Sequence, residues 1–128
     1  MKMVVRNPSM GVYPATDDYV HAMEVQGAHR LLFVSGTMGL DETGAPGKSL
    51  EEQLELIWSN IRAILASADM SVDNIVRLTS YLTDPAYAEK NAEARVAALQ
   101  GRVVPTTAII ARTLVSEWLV EIEVIAAA

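Results

Sequence analysis

The chain has 128 residues, a formal net charge of −6 and no cysteine. This length predicts a single domain over residues 1–128, and the missing cysteines exclude disulfides, thiolate nucleophiles and cysteine-bound zinc and favour a reducing, cytoplasmic location. The acidic charge and the 5% aromatic content disfavour nucleic acid as a partner, because they provide neither a basic surface for phosphates nor a platform for stacked bases.

Hydrophobic residues make up 51% of the chain, but no apolar run reaches the roughly 18 residues that a membrane span requires. Prolines, a glycine and two aspartates interrupt residues 1–18, so we expect an extended lead-in with turns there and no secretory signal. The high apolar fraction predicts either a large core or an apolar surface that is buried against another subunit.

The first predicted elements are two strands. Residues 19–26 alternate as a strand does, and the Gly27-Ala28-His29 segment is a plausible turn after them. Residues 31–36, LLFVSG, are apolar on both faces, which predicts a central strand that is covered on both sides.

A helix is predicted after the loop at residues 40–48. Ser49 and Glu52 have the spacing of a capping box, in which the hydroxyl accepts a free backbone N–H and the glutamate returns to the cap. The helix then runs to about residue 68 on an apolar stripe that consists of Leu50, Leu54, Ile57, Trp58, Ile61, Ile64 and Leu65.

A strand within residues 72–82 comes next, with one face formed by Val76, Leu78, Ser80 and Leu82. Asp84-Pro85 begins a second helix, since Asp caps helices and Pro tolerates the first helical position. Gly101 ends this helix, whose predicted inner side consists of Ala88, Ala92, Arg95, Val96 and Leu99. Two strands close the chain, at residues 106–111 and 119–126.

The order of elements predicts an α+β domain in which two helices cover one face of a sheet. In the last strand, alternation divides the residues into two faces, Val120, Ile122, Val124 and Ala126 on one side and Leu119, Glu121, Glu123 and Ile125 on the other. The second, mixed face suits a subunit interface or a binding groove.

The whole series resembles the Rid family, also known as YjgF or L-PSP endoribonuclease-like proteins. The resemblance covers about residues 19–126 and depends on the order and spacing of several segments: Tyr19 before a hairpin, LLFVSG, the capped helix, DNIVRLTSYLTD, the helix that carries Asn91, a proline-led strand and LVEIEVIA. It implies a chorismate-mutase-like fold, with a mixed β-sheet and two helices on one face. It also implies a homotrimer whose sheets form a barrel and whose small-molecule ligands bind in the clefts between subunits.

Archetypal members of the family hydrolyse imines or enamines such as 2-aminoacrylate, and an arginine two places after the proline of the fifth strand pairs with the substrate carboxylate. Here the proline is Pro105 and the matching position is Thr107. A threonine offers one neutral hydrogen bond, whereas an arginine offers a charged fork of donors. We therefore expect little hydrolysis of 2-iminopropionate. Arg102, before the strand, is another candidate donor, but Arg112 should point to the opposite face of the strand.

The resemblance assigns five further residues to the cleft. Glu121 matches an acidic residue that positions or activates water, and Tyr19, Ser35, Gly36 and Asn91 match ligand-binding positions. Each has a structural alternative: a paired or exposed strand glutamate, a tyrosine with a satisfied hydroxyl, a strand-end turn, and an asparagine that bonds a loop.

Three functions remain open at this point. The first is a deaminase-like hydrolase in which Glu121 acts with a cleft water, and the second is a non-catalytic ligand-binding or regulatory trimer. The third is an endoribonuclease, as some relatives are described, which the acidic charge disfavours. His21 and His29 lack metal-ligand spacing, and no phosphate-binding loop is evident, so we expect neither a metal nor a cofactor.

Overall fold

A computed structural model describes all 128 residues and places them in an α+β fold of two α-helices and six strands. In chain order these are β1 (Lys2–Arg6), β2 (Ala22–Gln26), β3 (Leu31–Met38), α1 (Leu50–Ser67), β4 (Ile75–Leu82), α2 (Ala88–Ala98), β5 (Thr106–Ile110) and β6 (Val120–Ala127). Single 3₁₀ turns precede β4 and α2, at Val72–Asn74 and Pro85–Tyr87. From β2 onward, the order of strands and helices is the predicted one.

The last four strands of the chain form one sheet in the order β3-β6-β4-β5. β6 is antiparallel to both β3 and β4, and β5 is parallel to β4, so the sheet is mixed. The parallel pair follows from α2, because parallel neighbours need a long crossover between them, usually a helix. β6 therefore lies inside the sheet, and β3 and β5 form its two edges.

The core lies between this sheet and the helices. α1 buries most of the predicted stripe, namely Leu54, Ile57, Trp58, Ile61 and Leu65. From the sheet side, every second residue of β6 is buried, namely Val120, Ile122, Val124 and Ala126. The inward face of the last strand is thus the one that its alternation predicts.

The predicted lead-in is wrong in part, because Lys2–Arg6 forms a strand. This strand, β1, pairs antiparallel with β2 in a separate two-stranded sheet. Five residues followed by turn formers offer too short a pattern for recognition, and the pairing partner lies about twenty residues away along the chain. The predicted first strand is also shorter than expected: it begins at Ala22, and Val20 before it makes only an isolated bridge with Pro105.

The prediction of a central strand at LLFVSG is wrong, because β3 is an edge strand with one uncovered face. Val34 is buried, but Leu31 and Phe33 on the other face are 58% and 71% exposed. The sequence could not distinguish the two cases, since an apolar face that is exposed and one that is covered within the chain have the same pattern.

Both predicted caps form, Ser49 at the start of α1 and Asp84 at the 3₁₀ turn before α2, whereas α2 itself begins without a side-chain cap. The Ser49 hydroxyl accepts from the backbone N–H of Glu52 at 3.1 Å, which satisfies one of the free donors of α1. The second half of the predicted box differs, because the Glu52 carboxylate accepts from the N–H of Lys48 at 2.8 Å and does not return to the cap residue. Asp84 accepts from the N–H of Ala86 at 2.8 Å, so the Asp-Pro pair caps the turn that leads into α2.

The buried side of α2 is the predicted one only in part, because Arg95 and Leu99 face inward as expected and Val96 does not. Asn91, Arg95 and Leu99 are buried, whereas Val96 is 39% exposed. Arg95 donates to the carboxylate and to the backbone carbonyl of Asp18, at 2.7 and 2.5 Å, and this pairing is what allows a charged side chain to face inward. Alanines on every side of the helix left its periodicity without a clear direction.

The sheet face opposite the helices has no cover within the chain, and we call it the open face. By strand alternation it consists of Phe33, Arg77, Thr79, Tyr81, Thr107, Ile109, Glu121, Glu123 and Ile125. Apolar and charged side chains are therefore mixed on one accessible surface. On the other side of the sheet, neither helix is long and apolar enough to cross a bilayer.

Candidate functional site

Glu121 lies on the open face beside a bulge of β3. Ser35 and Gly36 fall within the register shift between Val34 and Thr37, so that two residues of β3 stand opposite one of β6. A Cβ placed on Gly36 would overlap with the Glu121 carboxylate. The missing side chain at Gly36 therefore provides the space in which this carboxylate lies, and three of the predicted site residues come together here.

Tyr81 and Glu123 add a hydroxyl and a second carboxylate to the same face. The Tyr81 hydroxyl donates to Oε1 of Glu123 at 2.5 Å, and this bond is the main cause that raises the pKa of Tyr81. Tyr81 is also the cross-strand partner of Glu121. Glu123 is thus engaged within the chain, whereas Glu121 keeps its acceptor oxygens for a water or a ligand.

Gln53, which is not among the predicted site residues, fixes the segment that leads into β6. Its side chain is 2% exposed and donates to the carbonyls of Gly47 and Glu117, at 3.0 and 2.8 Å. Its carbonyl oxygen accepts from the N–H of Leu119 at 2.9 Å. Because Leu119 lies two residues before Glu121, this buried amide helps to position the carboxylate. A polar residue within the apolar stripe of α1 was the available signal.

Thr107 lies on β5, at the other edge of the sheet, in contact with an arginine. The Arg77 guanidinium, from the neighbouring β4, donates to the Thr107 hydroxyl at 2.8 Å. Arg77 is half-buried and has no carboxylate partner, since the three ion pairs of the chain join other residues. The alternation of β4 was a sufficient signal to place Arg77 on the outward face, but not to predict which residue it meets.

Arg102, the other candidate donor, is committed to the fold. Its guanidinium donates to the backbone carbonyls of Val72, Asp73 and Ile75, where the 3₁₀ turn leads into β4. Burial among these groups lowers its pKa. Arg102 therefore caps a turn and has little capacity left for a ligand.

Arg112 lies beyond the end of β5, near the carboxylates of the open face. It lines a hollow together with Tyr81, Glu121 and Glu123, and this hollow is a different one from the hollow that Thr107 lines. β5 ends at Ile110, and the alternation of side chains does not extend past the end of a strand. An unpaired cation thus lies near the two carboxylates of the open face.

Tyr19 lies near the start of β5. The adjacent Val20 bridges Pro105, which is two residues before Thr107. The Tyr19 ring meets the ring of His21 edge to face, with 5.8 Å between centroids, and His21 bonds a backbone carbonyl of the N-terminal segment at 2.7 Å. These contacts hold the residues before β2 in place beside the start of β5.

Asn91 lies in α2, on the helical side of the sheet, so one subunit does not bring it to the open face. Its side chain is buried, with 3% of the residue exposed, and its Oδ1 has no hydrogen-bond partner. An unpaired buried acceptor costs on the order of 1–3 kcal/mol. The bond to a loop that was the structural alternative for Asn91 is not formed through this oxygen.

The predicted residues on the sheet thus form two clusters, one on the β3–β6 side of the sheet and one on the β4–β5 side. The carboxylate cluster consists of Glu121 with Ser35 and Gly36, and the arginine cluster consists of Thr107 with Arg77. Carboxylates, hydroxyls and guanidinium groups allow acid–base chemistry and anion binding. The chain brings together no group of three or more His, Asp or Glu side chains that could hold a metal ion.

Sequence comparison relates most of the chain to one family. Residues 10–128 match the family described as Endoribonuclease L-PSP. A RutC family protein, YjgH, from Escherichia coli K12 is 44% identical over 55 residues, which cover 43% of this chain and 42% of that protein. A RutC family protein from Aquifex aeolicus is 42% identical over 67 residues, or 52% of this chain and 51% of that protein. The matched segments span about half the length of these relatives or less.

Solved structures extend the likeness to the whole fold. A Rid family protein of unknown function, YyfB from Yersinia pestis, matches with a TM-score of 0.87 and 27% identity over 100% of both chains. RidA from the Antarctic bacterium Psychrobacter sp. PAMC 21119 matches with a TM-score of 0.73 and 27% identity, over 95% of this chain and 93% of that one. With its sequence, its strand order and its fold in agreement, the chain belongs to the endoribonuclease L-PSP family, the Rid/YjgF family that its motifs resemble.

Proposed function

We propose that this protein is a homotrimer that binds a small metabolite in the clefts between its subunits. The observation that carries the proposal is the position of the two clusters, because Glu121 beside Gly36 and Thr107 beside Arg77 lie toward opposite edges of one sheet. Subunits joined edge to edge would bring the carboxylate cluster of one copy near the arginine cluster of the next. The same assembly would cover exposed apolar residues such as Phe33. A cytoplasmic location is part of the proposal.

The chemistry that suits this arrangement is hydrolysis of an imine or enamine. Glu121 would accept a proton from a cleft water while the water oxygen attacks the imine carbon. The nitrogen then takes up protons and leaves as ammonia, and the carbon becomes a carbonyl. Glu121 is the residue for this role because Tyr81 already occupies its neighbour Glu123.

The test is the decay of 2-iminopropionate, generated enzymatically and followed with and without this protein. We expect an acceleration that is weaker than that of a relative with arginine at the position of Thr107, because a threonine offers no charged fork. Glu121→Gln should abolish most of that acceleration, because a general base usually contributes about 100-fold or more. A Glu121→Gln variant with undiminished activity would contradict the catalytic role.

Thr107 also favours a second candidate, a ligand-binding trimer without catalysis. In that case the wild-type protein would bind a ligand but leave the imine decay unchanged, and Glu121→Gln would bind equally well. Endoribonuclease activity, which the family description includes, fits the chain less well, because a net charge of −6 repels a phosphate backbone.

A further inference from the structure

We propose that Arg77 is the anion-binding residue of the open face, and that it binds the carboxylate of a small ligand together with the Thr107 hydroxyl. The inference rests on the proposed function only in that it places the ligand on this face. Ligand recognition would then lie on β4, the strand next to β5, and β5 carries position 107, where the family has its arginine.

The first support is the bonding state of Arg77. Its guanidinium donates one N–H to the Thr107 hydroxyl, at 2.8 Å, and makes no ion pair. A guanidinium has five N–H donors, so most of them remain available. A half-buried cation is costly unless an anion compensates it, and the nearby Glu123 carboxylate accepts from Tyr81 and forms no ion pair with Arg77.

The second support is the geometry at Thr107. Its hydroxyl oxygen accepts from Arg77, which leaves the hydroxyl hydrogen free to donate. One oxygen of a carboxylate can then receive an N–H of Arg77 while the other receives the O–H of Thr107. This pair of donors from two adjacent strands resembles the fork of a single arginine, with one neutral bond in place of a charged one.

The third support is the surroundings. Arg77 and Thr107 line a hollow of about 520 Å³, whose apolar wall includes Phe33, Ile109 and Ile125. Apolar walls lower the local dielectric and strengthen the attraction between a guanidinium and an anion. Glu123 lines the same hollow, and its charge disfavours a dianion such as phosphate. A small carboxylate with an apolar or neutral remainder fits best.

The remaining arginines are less suited. Arg6 and Arg95 pair with acids, Arg30 and Arg102 donate to backbone carbonyls, and Arg62 lies in α1 on the helical side. Arg112 lies on a segment beyond β5 and is exposed, and it lines a hollow with Glu121 and Glu123, whose two negative charges disfavour a further anion there. Arg112 is therefore the competing candidate that an experiment has to separate from Arg77.

The experiment compares binding of pyruvate and of its uncharged amide, pyruvamide, by titration calorimetry on the assembled protein. We expect pyruvate to bind more tightly than pyruvamide. Arg77→Met should weaken pyruvate about tenfold or more, the value of a charged hydrogen bond, and should leave pyruvamide unchanged. Arg77→Lys should have a pyruvate affinity between those of the wild type and Arg77→Met, because lysine keeps the charge but loses the planar fork. Thr107→Val should weaken pyruvate binding a few-fold.

Two controls make the result decisive. Arg112→Met tests the competing cation, and Arg62→Met removes the same charge from the helical layer, so both should bind pyruvate as the wild type does. If Arg77→Met fails to fold or assemble, Arg77→Lys and Thr107→Val carry the test. Equal binding of pyruvate by wild type and these variants, a loss confined to Arg112→Met, or no pyruvate binding at all would overturn the inference. Failure of imine hydrolysis would affect only the proposed chemistry, since this measurement reports binding.

Discussion

Individual residues on the open face depend on small features of their neighbours. The Glu121 carboxylate occupies space that any side chain at position 36 would fill, and the Arg77 charge remains unpaired because the hydroxyl of Thr107 is its partner. In both cases the charged group is available to a ligand because of its neighbour: Gly36 has no side chain, and Thr107 has no charge. Gly36 and Thr107 are therefore as important to the candidate site as the charged side chains themselves.

Gly36→Ala should disturb the site more than the fold. The new Cβ would displace the Glu121 carboxylate, which is the end of a flexible side chain and can move, so we expect a stability loss below about 1 kcal/mol. Any Glu121-dependent imine hydrolysis should fall as far as in Glu121→Gln. Denaturant titration and the imine assay on the same samples measure the two effects.

Gly39→Ala is the matched comparison. There the new Cβ would lie 2.5 Å from the Cα and from the carbonyl oxygen of Gln53, and the backbone of α1 cannot move aside as a side chain does. We expect a loss of about 1–3 kcal/mol from overpacking. Comparable stability losses in the two variants would contradict the explanation given for Gly36.

At the scale of elements, α1 stabilises both the core and the site. Its apolar stripe covers the sheet, and Gln53 on the same helix bonds the segment before β6. Gln53 thus links α1 to the strand that carries the Glu121 carboxylate. A well-capped start of α1 is needed for both functions, because Gln53 lies in its first turns.

Ser49→Ala should cost about 1 kcal/mol of unfolding free energy, because it frees the Glu52 N–H that the hydroxyl now satisfies. Ser59→Ala, at an exposed position of the same helix, should be neutral or slightly stabilising, since alanine has the higher helix propensity. Chemical denaturation midpoints measure both. If the two variants had the same midpoint, Ser49 would have no role as a cap.

At the scale of the whole molecule, we expect the open face to determine whether the chain assembles in solution. Phe33 is 71% exposed, and Ile109 and Leu31 are about half exposed, on a sheet whose two edges are β3 and β5. Apolar exposure of this kind marks a surface that another protein covers. A second copy of the same chain fits the proposed function, because it would also join the two clusters.

Light scattering should give a mass of about three times 13.9 kDa for the wild-type protein. Phe33→Asp should shift the mass toward that of the monomer, because a charge in an apolar interface is costly. Val96→Asp, on the outer side of α2, places the same charge away from the open face and should leave the trimer intact. A monomeric wild-type protein at micromolar concentration, or dissociation by Val96→Asp alone, would contradict the assembly.

The sequence by itself determined those features that depend on contacts between near neighbours in the chain. The Ser49 cap, the stripe from Leu54 to Leu65 and the alternation of β6 are all local patterns, and the structure confirms each of them. The motifs in their order also sufficed to identify the family. Local patterns did not predict β1, whose pairing partner is distant, or the exposure of Val96 on α2.

Only the tertiary structure decided which residues meet. Arg77 and Thr107 are thirty positions apart and Gly36 and Glu121 more than eighty, and pairing of strands with distant sequence positions brings them together. It also decided that the second face of LLFVSG is uncovered. A sequence pattern records which side chains share a face, but the order of strands in the sheet determines which faces and residues become neighbours, and that order depends on long-range packing.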